Sequence, residues 1–176
     1  MIDQLIQIDN FFKKPDQIRA MALKMKYTAS DETTGWKGYR ALEQSSYNDE
    51  LVEYIKSKID GSFYNTNFDT YFHYTLEETK KEVSSFSKNK IHRDSGRDYA
   101  GVVYLNPNPQ PNSGTVFYDD DYRVIHTVEN VYNRFVFYPS RILHAVENPF
   151  GDSIENGRLT FTIFVGLPQK KTKSIL

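Results

Sequence analysis

Hydrophobic positions along this chain follow two different rhythms. Near the N-terminus they recur at helical spacing. A short apolar strand opens the stretch "IDNFFKKPDQIRAMALKMKY", and Pro15 then suits a first helical turn. Ile18, Met21, Ala22 and Met25 fall at i, i+3, i+4 and i+7, which predicts one buried helical stripe. A second helix is expected from about Tyr47 to Ile59, with Leu51, Ile55 and Ile59 as its apolar face and Ser46 with Asp49 resembling a capping box. Between the two helices "SDETTGWKGYRALEQ" reads as loop, with glycines on both sides of the only Trp, Trp36.

From residue 62 the rhythm changes to alternation. In "NFDTYFHYTLEE", Phe68, Phe72, Tyr74 and Leu76 share one side of an extended chain. The runs "DYAGVVYLN", "GTVFYD", "YRVIHTV", "NRFVFYP", "ILHAVEN" and "GRLTFTIFVG" follow, each rich in Val, Ile, Thr, Phe and Tyr and each bounded by turn residues. Many short strands with turn signals between them predict a mainly β fold, an antiparallel sandwich or barrel. Two N-terminal helices packed against that core complete the layering. The segment "NPNPQPNSG" (106–114) predicts a rigid loop, because proline fixes φ and donates no hydrogen bond. No linker interrupts the pattern. The whole of 1–176 is expected to be a single domain, with a helical lead-in over about 1–61 and a β core over about 62–168.

Composition sharpens this picture. Thirteen Tyr and twelve Phe favour strands and supply large packing areas. The net charge of −1 gives no global attraction to nucleic acid, and none is expected as a partner. No apolar run is long enough to span a membrane, and "MIDQLIQIDN" lacks a signal-peptide pattern, so a cytoplasmic protein is expected. The chain has no cysteine, which excludes disulfides, thiolate metal sites and cysteine nucleophiles. A metal site here must be built from His, Asp and Glu.

Four histidines are available. On an extended chain His92 and Asp94 in "KIHRDSG" point to the same face while Arg93 points away. Taken alone, His-x-Asp is a weak signal. His144, in "PSRILHAVENP", could supply a second imidazole from a strand across the barrel. Two His and one carboxylate on one side of a metal form the facial triad of non-haem Fe(II) oxygenases. In "GRLTFTIFV", Arg158, Thr160 and Thr162 share one face, and Leu159, Phe161, Ile163 and Val165 share the packing face. A guanidinium on a core strand is costly unless an anion pairs with it.

In this order the pieces resemble the Fe(II)- and 2-oxoglutarate-dependent dioxygenases, specifically their prolyl-4-hydroxylase-like branch. The pieces are His92-x-Asp94, the "YLN" of 104–106, "SGTVFYD", "NRFVFYPSRILHAV" and "GRLTFTIF", spread over roughly residues 86–167. The resemblance implies a double-stranded β-helix, a jelly-roll or cupin-like core. It implies Fe(II) ligation by His92, Asp94 and His144. Arg158 is implied to bind the distal carboxylate of 2-oxoglutarate, assisted by Tyr104 and Thr160. The implied reaction consumes O2 and 2-oxoglutarate, releases succinate and CO2, and hydroxylates a C–H bond of a peptidyl (including prolyl) or small-molecule substrate. Halogenating relatives lack the carboxylate that Asp94 provides, so hydroxylation is the implied outcome. The alternatives are a cupin-like metalloenzyme that does not use 2-oxoglutarate and a non-catalytic jelly-roll binding module.

Ser113-Gly114 stands where the family has Gly-Gly. Tyr71, Tyr74 and Phe86 are the candidates for a further co-substrate contact. His73 and His126 match no ligand position and are expected as polar residues on sheet faces. The loop around Trp36 is either a substrate wall or packing against the barrel. Asp119, Asp120 and Asp121 are expected in a solvated turn. Arg141 lies either at the pocket mouth or in a surface ion pair. Oligomeric state is not legible in the sequence.

Overall fold

Strand β10 (Arg158–Gly166) runs through the middle of the fold, bonded antiparallel to β5 (Tyr99–Tyr104) on one side and β4 (Asn67–Thr75) on the other. The computed structural model describes residues 5–31, 36–42, 46–58, 67–78 and 91–166. Beyond β5 lie β8 (Phe135–Pro139) and β1 (Ile6–Ile8). Beyond β4 lie β3 (Tyr39–Arg40) and β2 (Thr28–Ala29). These seven strands form the major sheet, in the order β1-β8-β5-β10-β4-β3-β2. The minor sheet has the order β7-β6-β9, built from β7 (Val124–Val128), β6 (Thr115–Tyr118) and β9 (Leu143–Val146). All pairings are antiparallel, and six of the strands are the six alternating runs from "DYAGVVYLN" onward. The fold is mainly β, as the alternation predicts.

The alternation sorts the major sheet's side chains onto two faces. On one, Phe72, Val103, Phe135, Phe137, Leu159, Phe161, Ile163 and Val165 pack with the helical lead-in. Helix α1 (Pro15–Ala22) contributes Ile18, Met21 and Ala22, and α2 (Ser46–Lys56) contributes Leu51 and Ile55. Met25 joins the same cluster from just past α1, which ends before the stripe does. Both helices therefore turn their predicted faces to the sheet. Ile59 and Phe86 lie outside the described residues, as does the Ser46 side chain of the expected capping pair. On the opposite face, Ala100, Val102, Tyr104, Val136 and Tyr138 meet Phe117 and Val128 of the minor sheet. This second interior, between the sheets, is where Arg158, Thr160 and Thr162 also point.

Side-chain amides fasten the layers. Asn133, held at φ 61°, accepts from the Phe12 N–H (2.8 Å) and donates to the Phe12 carbonyl (2.9 Å), tying the lead-in to β8. Gly114 lies so close to β7 that a Cβ would fall 1.9 Å from the Val128 carbonyl oxygen, so no other residue fits there. No described helix is long and apolar enough to cross a membrane.

Candidate metal and co-substrate site

His92 begins the site with its backbone. Its N–H donates to the His144 carbonyl and its carbonyl accepts from the His144 N–H, both at 3.0 Å. This isolated antiparallel bridge extends the minor sheet by one residue pair beyond β9. Residues directly opposite in such a pair present their side chains to the same face. The two imidazoles accordingly stand 4.5 Å apart between ring centroids. His144 does not come from across the barrel, as the sequence reading supposed; it is the immediate neighbour of His92. Asp94 follows two residues later, its N–H bonded to the Ser140 carbonyl at 3.1 Å.

The three side chains converge. Their ligand atoms all lie within 4.8 Å of one another. Asp94 Oδ1 is 3.6 Å from His92 Nε2, and Asp94 Oδ2 is 3.4 Å from His144 Nε2. Asp94 Oδ2 is buried and accepts no hydrogen bond from the described residues. The His144 Nδ1 faces the Ile142 carbonyl at 2.9 Å. A carbonyl can only accept, so Nδ1 carries the proton and the Nε2 lone pair is presented to Asp94. Burial lowers the pKa of His144, with the neighbouring His92 adding to the effect and Asp94 opposing it. The ring is therefore held in the neutral form that ligates metals. A buried carboxylate oxygen with no described donor, beside the His144 Nε2 lone pair and the His92 imidazole, fits a divalent cation. The His92 side chain is 50% exposed and that of His144 only 7%, so the cluster opens on the His92 side.

The second cluster lies at the start of β10. Arg158 is buried at 3% exposure. Its Nε donates to the Ser113 carbonyl at 2.8 Å and its Nη2 reaches the Gly114 carbonyl at 3.5 Å. The guanidinium lies 5.4 Å from the Tyr104 ring centre. No described carboxylate forms an ion pair with it. Ser113 in place of glycine is accommodated by a hydrogen bond from its hydroxyl to the Gln110 carbonyl. The Tyr104 hydroxyl, itself fully buried, shares a hydrogen bond with Thr115 Oγ1 at 2.7 Å. Thr160 pairs across the strands with both Tyr104 and His73, and its hydroxyl is 3.2 Å from the His73 carbonyl and 3.3 Å from Thr162 Oγ1. The structure thus brings Arg158, Tyr104 and Thr160 to one face, and His92, Asp94 and His144 to another place in the same interior.

Two residues escaped the sequence reading. Tyr138 packs edge-on against His144 with ring centroids 4.9 Å apart. Burial pushes its phenol well above the ordinary pKa, Asp94 and Tyr104 adding to the shift and Arg158 opposing it. It therefore lies within the electrostatic reach of both clusters. The alternation of β8, which sends Phe135 and Phe137 to the helices, was sufficient to place Tyr138 inside. Asn106 closes "YLN". Its Nδ2 donates to the Gly157 carbonyl (2.5 Å) and its Oδ1 accepts from the Leu159 N–H (2.9 Å). Those bonds clamp the backbone on both sides of Arg158. No sequence signal announces them, because the partners are 51 and 53 residues away.

The remaining candidates separate. Tyr74 faces the helices, stacked on Tyr39 at 4.5 Å, and is not in this interior. Tyr71, opposite Thr162, is. His73 contacts the Lys37 carbonyl through Nε2 at 2.6 Å. His126 is exposed on β7. Arg93 points away and pairs with Asp120 at 2.7 Å, while Asp119 accepts from the N–H groups of Asp121 and Arg123, as in a solvated turn. Arg141 is exposed, and its carbonyl accepts from Arg93 Nε.

A family model described as a family of unknown function, DUF6445, matches residues 2–121 and 119–165. No curated protein matches the sequence. Solved structures do resemble the fold. A prolyl-4-hydroxylase from Pseudomonas putida superposes with a TM-score of 0.59 at 16% identity, covering 93% of this chain and 92% of its own. A 2OG-Fe(II) oxygenase family oxidoreductase from Burkholderia pseudomallei gives 0.62 at 11% identity, over 93% and 84% of the two chains. A prolyl hydroxylase from Trichoplax adhaerens, in complex with a hypoxia inducible factor oxygen degradation domain peptide fragment, gives 0.56 at 13% identity, over 93% and 83%. The suspected resemblance to the prolyl-4-hydroxylase-like branch holds at the level of fold, the double-stranded β-helix of 2OG-Fe(II) oxygenases. The chain belongs to the DUF6445 family and carries that oxygenase fold.

Proposed function

We propose that this protein, as one domain, is an Fe(II)- and 2-oxoglutarate-dependent oxygenase that hydroxylates a C–H bond of a peptidyl (including prolyl) or small-molecule substrate. The observation that carries the reading is Arg158: a buried guanidinium bonded to two carbonyls, with no carboxylate partner among the described residues, in the same interior as His92, Asp94 and His144. A metal site alone gives such a cation no purpose. A dicarboxylate that spans the interior supplies the missing anion.

In this reading His92, Asp94 and His144 hold Fe(II), which supplies oxidation of a C–H bond coupled to decarboxylation of 2-oxoglutarate. The protein's own groups position and shield. His144 is locked as the Nδ1–H tautomer by the Ile142 carbonyl. Arg158 receives the distal carboxylate, with the Tyr104 hydroxyl beside it as a further hydrogen-bonding group and Thr160 on the same face. Tyr138, Val102 and Val136 wall the interior with apolar surface and keep bulk water from the decarboxylating end. The half-exposed side at His92 is left for O2 and substrate.

The test is calorimetric. Mn(II)-loaded protein binds 2-oxoglutarate, and Arg158→Met weakens that binding by on the order of 100-fold, as expected for losing two charge-assisted hydrogen bonds. Equal affinity in the folded variant removes Arg158 from the co-substrate site.

A further inference from the structure

One more cation reaches this interior, from beyond β4 in the major sheet. Arg40 on β3 pairs with His73 on β4, His73 pairs with Thr160 on β10, and Thr160 pairs with Tyr104 on β5. Paired residues share a face, so the four side chains form one row across the sheet. Strands stand about 4.8 Å apart, which puts the Arg40 backbone roughly 14 Å from that of Tyr104. Arg40 thus stands three strands from Tyr104, at a separate position along this row.

The surroundings of Arg40 are built rather than incidental. Its guanidinium carbon lies 4.8 Å from the Trp36 ring centre, 4.9 Å from Tyr71 and 5.7 Å from Phe164. Three rings around a guanidinium fix its direction through cation–π attraction. Burial keeps His73 neutral by depressing its pKa to about 3, so Nε2–H donates to the Lys37 carbonyl and fastens the segment carrying Trp36 to β4. Gly38, at φ 88°, lets that segment lie against β4, where a Cβ would come within 2.5 Å of the Tyr74 carbonyl oxygen. Trp36 is thus packed onto the barrel and at the same time lines the approach to Arg40.

Among the described residues Arg40 nevertheless has no anion of its own. Its Nε is buried and donates to no described residue, and no described carboxylate forms an ion pair with it. Burial lowers its pKa to about 10, opposed by Tyr71 and by the charge of Asp94, so it is a cation at neutral pH. A divalent cation at His92, Asp94 and His144 would absorb the charge of that carboxylate and leave Arg40 without compensation. An unbalanced, preoriented guanidinium on the sheet face that lines the interior of the metal triad is a receptor for an anion.

We propose that Arg40 recognises the substrate that is oxidised by taking one of its carboxylates. This rests on the oxygenase reading above and narrows its substrate class to compounds carrying a carboxylate, whether a free amino acid or an acidic side chain in a peptide.

The test is thermal stabilisation of Mn(II)-loaded protein saturated with 2-oxoglutarate. The probes are the free L-amino acids, their primary amides, and the peptides acetyl-Ala-Glu-Ala-amide and acetyl-Ala-Gln-Ala-amide. At least one acid raises the melting temperature while its amide counterpart does not. Arg40→Gln lowers the affinity for that acid by on the order of 100-fold, and its stabilisation by 2-oxoglutarate remains that of wild type. A response to an amino acid or to the glutamyl peptide tells the two sources apart. The wild-type comparison of acid with amide stands even if Arg40→Gln folds poorly. The proposal is overturned if no acid stabilises, if acid and amide act alike, or if Arg40→Gln keeps full affinity for the acid. It is also overturned if Arg40→Gln abolishes the response to 2-oxoglutarate, which would make Arg40 a co-substrate residue. Loss of the wild-type response to 2-oxoglutarate would remove the oxygenase reading itself.

Discussion

A guanidinium at 3% exposure, bonded to two carbonyls and to no described carboxylate, must be held in place by something other than charge pairing. Asn106 does this by gripping the backbone at Gly157 and Leu159. Asn106→Ala leaves a buried N–H and a buried carbonyl unsatisfied and is expected to cost about 2–4 kcal/mol in urea unfolding. It should also weaken 2-oxoglutarate binding, because Arg158 loses its fixed direction. A variant with unchanged co-substrate affinity would show that Arg158 is positioned by its own contacts alone. Arg158 was legible in the sequence because burying a charge is expensive, and the alternation of "GRLTFTIFV" puts it inside. The role of Asn106 was not legible, since its hydrogen bonds depend on which distant strand ends meet. Tyr104 was singled out by resemblance, and the structure adds its partner Thr115.

At the scale of elements, the strands were readable because period-2 alternation decides the face of each residue without reference to neighbours. Their pairing was not readable. The bridge between His92 and His144 is set by register between a single-residue bridge and β9, and hydrophobic pattern does not number strands across a barrel. Strand β10 is buried on both faces, one against helices and one within the sheets. Phe161, fully buried and 5.0 Å from the Phe72 ring, sits at the centre of the helical face. Phe161→Ala should destabilise by about 3–5 kcal/mol by denaturant unfolding. A loss below 1 kcal/mol would mean that the helices do not close on this face. The β3–β4 contact carries its own signature. His73 has a pKa of about 3 in the folded protein against an ordinary 6.5. The unfolded chain therefore takes up this proton first as pH falls. The contribution of His73 to stability is complete above about pH 6.5 and is lost progressively as pH falls towards 3. Urea midpoints measured between pH 7 and pH 5 should fall less steeply in His73→Gln than in wild type. Parallel pH profiles would contradict a neutral His73.

At the scale of the molecule, three layers divide the labour. The helices cover one face of the major sheet and give it rigidity, and the minor sheet covers the other face and encloses the polar clusters. Within that enclosure the structure places His92, Asp94 and His144 together, and Arg158, Tyr104 and Thr160 together, with Tyr138 in reach of both. A cupin-like site without 2-oxoglutarate accounts for the first cluster and leaves Arg158 unexplained. A binding module without metal leaves the orphaned oxygen of Asp94 unexplained as well. The most direct measurement is anaerobic visible absorption of the protein with Fe(II) and 2-oxoglutarate. Wild type should develop a metal-to-ligand charge-transfer band that requires both additions, and His144→Ala should lose it. Well-folded, iron-loaded wild type that develops no such band would contradict the oxygenase reading.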